Sequence, residues 1–333
     1  MRELRKDPIV HRWVIFSGGR GLRPSDWDAG PPPSADRSTC PFCPGRETET
    51  PPEIRADRPP GSRPNGPDWT LRVVPNKFPA LRVEESLETG TEGMYERMAG
   101  VGAHEVIIES PEHEKDLSEL TPAQVERVVA AYRARMIDLR NDQRLRYVLV
   151  FKNEGPRAGA TLAHGHSQLI ATPVVPQAIE DELSGGQERF LRTKRCAFCE
   201  IVEQELRDRA RLVLEHDGFV AVAPFAARLP FETWILPRRH SSSFEDMSEG
   251  EIPALAAILR ETLGRIRRAL NRPHYNFAIH TAPCREPRLE HFHWHIEITP
   301  KRTPAAGFEW GSGFYVNATS PEEAAGYLRG IEA

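Results

Sequence analysis

His164-Gly-His166-Ser-Gln168-Leu-Ile-Ala-Thr-Pro173 is the stretch from which the architecture of this chain can be read. Moved along the sequence by 127 residues, it falls on His291-Phe-His293-Trp-His295-Ile-Glu-Ile-Thr-Pro300. Two histidines and a terminal Thr-Pro agree within one ten-residue window. The same shift superposes residues 105–173 on 232–300 without a gap, so Glu105 meets Glu232 and His113 meets His240. An internal repeat of this length indicates two copies of one structural unit.

Working outward from the histidines, matching elements emerge in each copy. Thr121-x-x-Gln124 and Ser248-x-x-Glu251 are capping-box patterns in register under the same shift, each predicting a helix start. Val125, Val128, Val129, Tyr132 and Met136 follow the first at helical spacing, and Leu255, Ile258, Leu259, Leu263 and Ile266 follow the second. β-Rich runs come next, at Tyr147–Phe151 and at Tyr275–Ile279. Each unit therefore reads as strand, helix, strand, loop, strand, and the short connections suit an antiparallel sheet carrying a helix. The fold class expected is α+β, with one unit over residues 1–184 and the other over 185–333. A linker is expected at Gly185-Gly186. The first copy carries 29 more residues between its cysteines and its first strand, and 13 of the 30 prolines lie between residues 31 and 79. Proline neither donates to a ladder nor continues a helix, so this surplus is expected to be loop.

Composition narrows the class of function. The chain has 333 residues and a formal net charge of −4, which offers no broad electrostatic footprint for nucleic acid. No run approaches the roughly 18 apolar residues of a membrane helix. Met1-Arg2-Glu3-Leu4-Arg5-Lys6-Asp7 lacks the apolar core of a secretory signal. A cytoplasmic protein without a membrane partner is expected.

Four of the five cysteines form two C-x-x-C pairs, Cys40/Cys43 and Cys196/Cys199. In a cytosolic chain such pairs mean metal or redox chemistry, and a single pair does not choose between them. The repeat favours metal. Each copy also carries two histidines 51 residues apart, His113/His164 and His240/His291. Two thiolates and two imidazoles suit tetrahedral zinc. The expected sites are Cys40, Cys43, His113 and His164 for one ion, and Cys196, Cys199, His240 and His291 for another. With four protein ligands each, both would be structural. The sequence does not decide whether the second holds zinc or iron.

This assignment leaves His166 free, on the same strand face as His164. A neutral imidazole held at one nitrogen can attack phosphorus with the other. The loop before it, from Phe151 through Asn153 and Gly159 to Thr161, supplies glycines, an amide and a hydroxyl that could serve phosphate oxygens. Gln168 can donate where charge develops on the attacked phosphate. Nucleotidyl transfer is the chemistry these residue types support.

Taken together, the residues resemble the transferase branch of the histidine-triad superfamily, namely the galactose-1-phosphate uridylyltransferase family, which includes ADP-glucose phosphorylase. Ser17-Gly-Gly-Arg20-Gly-Leu-Arg23-Pro24 resembles the family's N-terminal arginine motif, which implies that Arg20 and Arg23 lie near the nucleotide phosphates. Val73-Val-Pro-Asn76-Lys-Phe78-Pro-Ala-Leu81 resembles its nucleoside-contacting segment, implicating Asn76 and Phe78. Asn153, Gly159 and Thr161 match its phosphate loop, Phe151 lies beside them, and His166 matches the histidine that becomes nucleotidylated. The resemblance implies tandem half-barrel units, ping-pong transfer of UMP between UDP-glucose and galactose 1-phosphate, and a homodimer whose neighbouring subunit helps complete each site. It also implicates Glu309 and Asn317 in sugar contacts.

H-G-H-S-Q in place of the usual H-P-H-G-Q, the Cys/His set of the second copy and the Gly307–Asn317 segment are closer to ADP-glucose phosphorylase. Adenylyl transfer from ADP-glucose to phosphate is therefore the alternative. Two further readings compete. His291-x-His293-x-His295 could make the second copy an active centre, although His280 stands where the first copy has Asn153. A zinc protein that binds nucleic acid through Arg265, Arg267 and Arg268 is the other, although these close a predicted helix, where cations complement the dipole.

Overall fold

The structure is a computed structural model, and it describes residues 2–17, 36–286, 288–301 and 306–331. Arg20 and Arg23 lie outside the described residues. The first part contains β1 (Arg2–Lys6), β2 (Trp13–Ser17), β3 (Arg55–Asp57), β4 (Leu71–Pro75), β5 (Thr89–Glu92), β6 (Tyr95–Met98), β7 (Ala103–Ile108), α1 (Pro122–Leu139), β8 (Tyr147–Glu154) and β9 (His166–Thr172). After α2 (Gln177–Thr193) come α3 (Ala197–Asp208), β10 (Leu212–His216), β11 (Phe219–Val222), β12 (Thr233–Pro237), α4 (Ile252–Ala269), β13 (His274–His280) and β14 (His295–Lys301). The chain continues through α5 (Gly307–Ser312), β15 (Tyr315–Asn317) and α6 (Pro321–Arg329). No helix among the described residues is long and apolar enough to cross a membrane.

The strand–helix–strand–loop–strand order expected of each copy is present as β7-α1-β8-β9 and β12-α4-β13-β14. The two copies share one antiparallel sheet of ten strands, ordered β10-β11-β12-β14-β13-β8-β9-β7-β4-β3. They meet at β8 and β13, where Phe151 pairs with Ala278. These two positions are equivalents under the 127-residue shift, so the junction joins like to like.

Period-two alternation gives this sheet two different faces. Val148, Val150, Leu169, Phe277, Ile279, Ile296 and Ile298 are buried in a single apolar core with Val128, Val129 and Tyr132 of α1 and Leu255, Leu259 and Leu263 of α4. The opposite face carries two small apolar clusters. One gathers Cys40, Phe42, Trp69, Val74, Val106 and Ile108, and the other Cys196, Phe198, Val220, Val222, Trp234 and Leu236. Between them runs a polar band containing Asn153, Asn276, Glu297 and Thr299.

Three sequence expectations change here. Gly185-Gly186 is not a linker but lies within α2, with both residues buried. A Cβ on Gly185 would overlap the Ile9 carbonyl oxygen, and one on Gly186 would crowd that of His291. Glycine here permits helix-to-backbone contact, not a hinge. The proline-rich stretch is not all loop, because it contains β3 and β4, and Leu71 and Val73 enter the main core. The extra length of the first copy also includes the β5–β6 hairpin. The repeat is not gap-free either. Gln168 pairs with Phe151, and Glu297 pairs with Ala278. The counterparts of His164 and His166 are therefore His293 and His295, two residues beyond the positions expected from the shift.

Candidate functional site

Each C-x-x-C loop ends beside two histidines whose lone pairs turn toward the sulfurs. In the first unit His164 Nε2–H donates to the Ser110 carbonyl at 2.8 Å, which leaves Nδ1 to face Cys40 Sγ at 3.7 Å and Cys43 Sγ at 3.6 Å. His113 Nδ1 lies 3.2 Å from Cys43 Sγ. In the second unit His293 Nε2–H donates to Pro237 O at 3.0 Å and His240 Nε2–H to Leu289 O at 3.0 Å. Their Nδ1 atoms stand 3.5 and 3.3 Å from Cys199 Sγ. Tetrahedral zinc, with bonds of about 2.3 Å to sulfur and about 2.0 Å to nitrogen, places those atoms about 3.6 Å apart. Both groups fit a metal ion, with all four donor atoms within 4.8 Å of one another.

The second group is Cys196, Cys199, His240 and His293, so His291 is not one of its donors. His291 instead packs against Phe190, with ring centroids 6.5 Å apart. The physical reason is strand periodicity. Moving a register by two residues keeps every side chain on its face, so His-x-His-x-His reads equally well in either register. Twelve residues separate Asn153 from His166, but fourteen separate its equivalent His280 from His295. The longer loop places the second histidine of the run, not the first, beneath the sulfurs. A third group that could hold a metal ion, Glu182, His280, His295 and Glu297, was not visible in the sequence because Glu182 comes from α2. Its polar atoms are partly engaged already. His280 Nδ1 contacts Glu182 at 2.8 Å, and Arg228 pairs with Glu297.

His166 opens β9 beside the first group. Its Nδ1–H donates to the His164 carbonyl at 2.8 Å, which leaves the Nε2 lone pair for chemistry. Burial holds its pKa below the ordinary imidazole value and pushes that of His164 down to about 4. Phe42, inside the C-x-x-C loop, meets the His166 ring edge-on at 5.3 Å. His166 is 7% exposed. Its counterpart His295 makes the same bond to His293 O, at 3.0 Å, but is fully buried. Phe198 at 4.9 Å, Trp234 at 5.3 Å and His280 at 5.0 Å enclose that ring. The second copy thus encloses its histidine where the first leaves an edge open.

Behind β9, on the helix side, lies a buried ionic network. Lys152 Nζ, fully buried, donates to Glu109 at 2.9 Å and to the His166 carbonyl at 3.3 Å. Burial disfavours its charge, but Glu109, Glu154 and Asp116 outweigh that effect and raise its pKa. Ser167 donates to the same Glu109 and lies 2.5 Å from Tyr132 Oη. The backbone carrying His166 is thus held from both sides, and a buried charge with these bonds is costly to disturb.

On the site face Phe151, Asn153, Asn276 and Ala278 line a cavity of about 890 Å³, joined by Arg157, Arg228, Glu297 and Lys301. Asn276 Nδ2 donates to Asn153 Oδ1 at 2.8 Å. The loop before His166 differs from the expected phosphate cradle. The amides of Ala158, Gly159 and Ala160 bond back to Gly155 and Pro156 within a 3₁₀ turn. Gly159, at φ +94°, closes that turn, and Thr161 is exposed beyond it. The amides of residues 158–160 are therefore already taken up by the turn.

Asn76 and Phe78 lie at the edge of the first unit, with Phe78 83% exposed. Asn76 Nδ2 is 3.1 Å from His104 Nε2, which is itself 2.9 Å from Gln168 Oε1. Sequence reasoning missed His104, although its alternation with Val106 and Ile108 sets it on the Gln168 face. Glu309 sits in α5, its carboxylate accepting from Ala306 N at 3.1 Å. Asn317 is not a sugar contact. It is fully buried, donating to Ala227 O at 2.9 Å and accepting from Thr319 N at 3.0 Å. The arginines that suggested nucleic acid are engaged within the chain. Arg265 and Arg268 pair with Glu261, and Arg267 pairs with Glu119.

The chain is thus a two-unit α+β protein with both units in one sheet, a Cys/His group in each, and in the first a partly open histidine held at Nδ1. Residues 1–176 match the N-terminal domain of galactose-1-phosphate uridyl transferase, and residues 185–306 match its C-terminal domain. The chain belongs to the galactose-1-phosphate uridyl transferase family of nucleotidyltransferases. It is 40% identical to ADP-glucose phosphorylase of Arabidopsis thaliana over 335 residues, covering 99% of this chain and 93% of the relative. It is 29% identical to galactose-1-phosphate uridylyltransferase of Thermotoga maritima, covering 100% and 99%. The crystal structure of an Arabidopsis thaliana ADP-glucose phosphorylase with bound ADP-glucose superposes with a TM-score of 0.84 at 36% identity, covering both chains completely.

Proposed function

We propose that this enzyme moves a nucleotidyl group from a nucleoside diphosphate glucose to a phosphate-bearing acceptor through a covalent nucleotidyl-His166. The observation that carries the reading is His166 itself, partly open, with Nδ1–H fixed on the His164 carbonyl and Nε2 unprotonated. Nε2 attacks the α-phosphorus, and the bond from that phosphorus to the bridging oxygen breaks. Glucose 1-phosphate leaves with the electron pair. An acceptor phosphate oxygen then attacks the same phosphorus and releases His166 Nε2. Gln168 donates to a non-bridging oxygen as charge builds there, and Asn153 lies beside the incoming sugar. The exposed Thr161 serves the phosphates, with Arg20 and Arg23, while Asn76 and Phe78 serve the nucleoside and Glu309 the sugar.

ADP-glucose is the proposed donor and phosphate the acceptor, giving ADP and glucose 1-phosphate. Full-length identity of 40% to an ADP-glucose phosphorylase supports this pair. The second reading is UMP transfer from UDP-glucose to galactose 1-phosphate, supported by the Thermotoga uridylyltransferase at 29%. Zinc is the proposed occupant of both Cys/His groups, because two thiolates with two imidazoles favour it. Bound there it would be structural, with Cys40, Cys43, His113 and His164 in one unit and Cys196, Cys199, His240 and His293 in the other holding each C-x-x-C loop beside its histidines. A homodimer is proposed from the family resemblance, and Phe308 and Trp310 of α5, 53% and 88% exposed, are available for such a contact.

The test is intact-protein mass after brief incubation with ADP-glucose or UDP-glucose and no acceptor. An AMP adduct absent from His166→Ala supports the first reading, and a UMP adduct supports the second. Donor binding without any adduct would overturn the covalent mechanism.

A further inference from the structure

We infer that His104 is a positioning residue that holds Gln168 in the orientation nucleotidyl transfer requires and ties it to the Asn76–Ala80 segment. The inference rests on the His166 reading above. His104 Nδ1 lies 3.1 Å from the backbone nitrogen of Ala80. A backbone N–H can only donate, so Nδ1 must bear the lone pair, and the neutral ring carries its proton on Nε2. Two groups approach that proton: Asn76 Nδ2 at 3.1 Å and Gln168 Oε1 at 2.9 Å. Asn76 Oδ1 already accepts from Phe78 N at 2.9 Å, so the Asn76 atom nearest the ring is a donor that cannot accept the ring proton and makes no hydrogen bond to Nε2–H. The ring proton therefore goes to Gln168 Oε1.

The amide of Gln168 has one oxygen and one nitrogen, so fixing the oxygen decides what the nitrogen can do. With Oε1 accepting from His104, the NH₂ end is left for an anionic oxygen beside His166, which shares the same face of β9. The reversed amide would offer a phosphate a lone pair, which repels. His104 also accepts Asn76 N through its backbone carbonyl at 2.8 Å. Ring and main chain together hold residues 76–80 against β7. The second unit lacks this device. Glu232 stands where the strand pairing puts His104 in the first unit, and it accepts from Arg228 and Trp234, while Glu297, the counterpart of Gln168, is paired with Arg228.

The experiment compares the rate of nucleotidyl-enzyme formation, by quenched intact mass, in wild type, His104→Phe, His104→Gln and Gln168→Ala with and without His104→Phe. Loss of a pre-aimed donor is expected to slow formation at saturating donor about tenfold in His104→Phe, while release of the 76–80 segment is read separately as a rise in donor KM. Glutamine, whose amide can accept from Ala80 and donate to Gln168, should restore most of the rate. In the Gln168→Ala background His104→Phe should cost nothing further in the rate at saturating donor, an outcome that a purely structural role would not produce. Equal rates in wild type and His104→Phe, or additive losses in the double variant, would overturn the inference. ¹⁵N NMR of wild-type protein provides the check that needs no variant: Nε2–H at His104 agrees, and Nδ1–H overturns it. Absence of any adduct in wild type would instead sink the transfer reading, and the tautomer would still decide whether His104 holds Gln168.

Discussion

Replacing His293 and His291 separately by alanine sets the tertiary structure against the sequence register. His293 is fully buried, with Nδ1 3.5 Å from Cys199 Sγ and Nε2–H donating to Pro237 O at 3.0 Å. A structural zinc group contributes on the order of 10 kcal/mol or more, so one ligand in four represents about 3 kcal/mol. The lost hydrogen bond to Pro237 adds about 1 kcal/mol. The ligand share alone weakens metal affinity about 100-fold. For 333 residues, a loss of about 4 kcal/mol lowers the melting temperature by about 6 °C. His291, half-buried against Phe190, should cost less than about 1 kcal/mol. The assay is metal content by mass spectrometry after dialysis against a chelator that leaves wild type with two ions, paired with a thermal melt. His293→Ala should retain one ion and His291→Ala two. If His291→Ala lost an ion and His293→Ala kept both, the two-residue offset between the copies would be wrong.

Other perturbations probe other parts of the molecule. Lys152→Met should destabilise by about 3–5 kcal/mol, because it strands Glu109 in the core. Lys152→Met with Glu109→Leu should regain much of that in denaturant unfolding, and equal losses in both would speak against the buried pair. Gly185→Ala should cost at least about 2 kcal/mol through overlap with the Ile9 carbonyl, and an unchanged melting curve would contradict the helix contact. The His280 pKa is affected most by burial, which lowers it, but Glu182 and Glu297 outweigh burial and raise it to about 9. A raised histidine adds stability that is complete below its unfolded value near 6.5 and is lost as pH climbs toward 9, by up to about 3 kcal/mol. His280→Gln should flatten that slope in unfolding curves measured from pH 6 to 10, and an unaltered slope would remove His280 as its source.

Much of this protein was legible in one dimension. Helical spacing in 125–136 and 255–266 and the repeat itself marked α1, α4 and the strands beside them. They also pointed to Cys40, Cys43, His113 and His164, the group the folded chain brings together. These signals are local in sequence or recur at a constant distance, and periodicity carries such information directly. His166 stood out because it follows a metal-type histidine by two residues and so shares its face.

Other features depended on distances that sequence spacing does not encode. A three-histidine run on a strand reads the same when shifted by two, so only the longer loop before His295 shows that His293 faces Cys199. Burial separated His166, with its edge open, from His295, enclosed by Phe198 and Trp234. It also turned Asn317 from a sugar contact into a backbone tie. Glu182, Asn276 and His104 reach their neighbours from other strands or from α2, and the loop amides before Thr161 were taken up by their own turn. Sequence alone established the chemistry available to this chain: paired thiolates and imidazoles, a free histidine and a glutamine in a duplicated frame. The tertiary structure decided which copy of that chemistry is open, because exposure depends on which side chains another part of the chain packs against the ring.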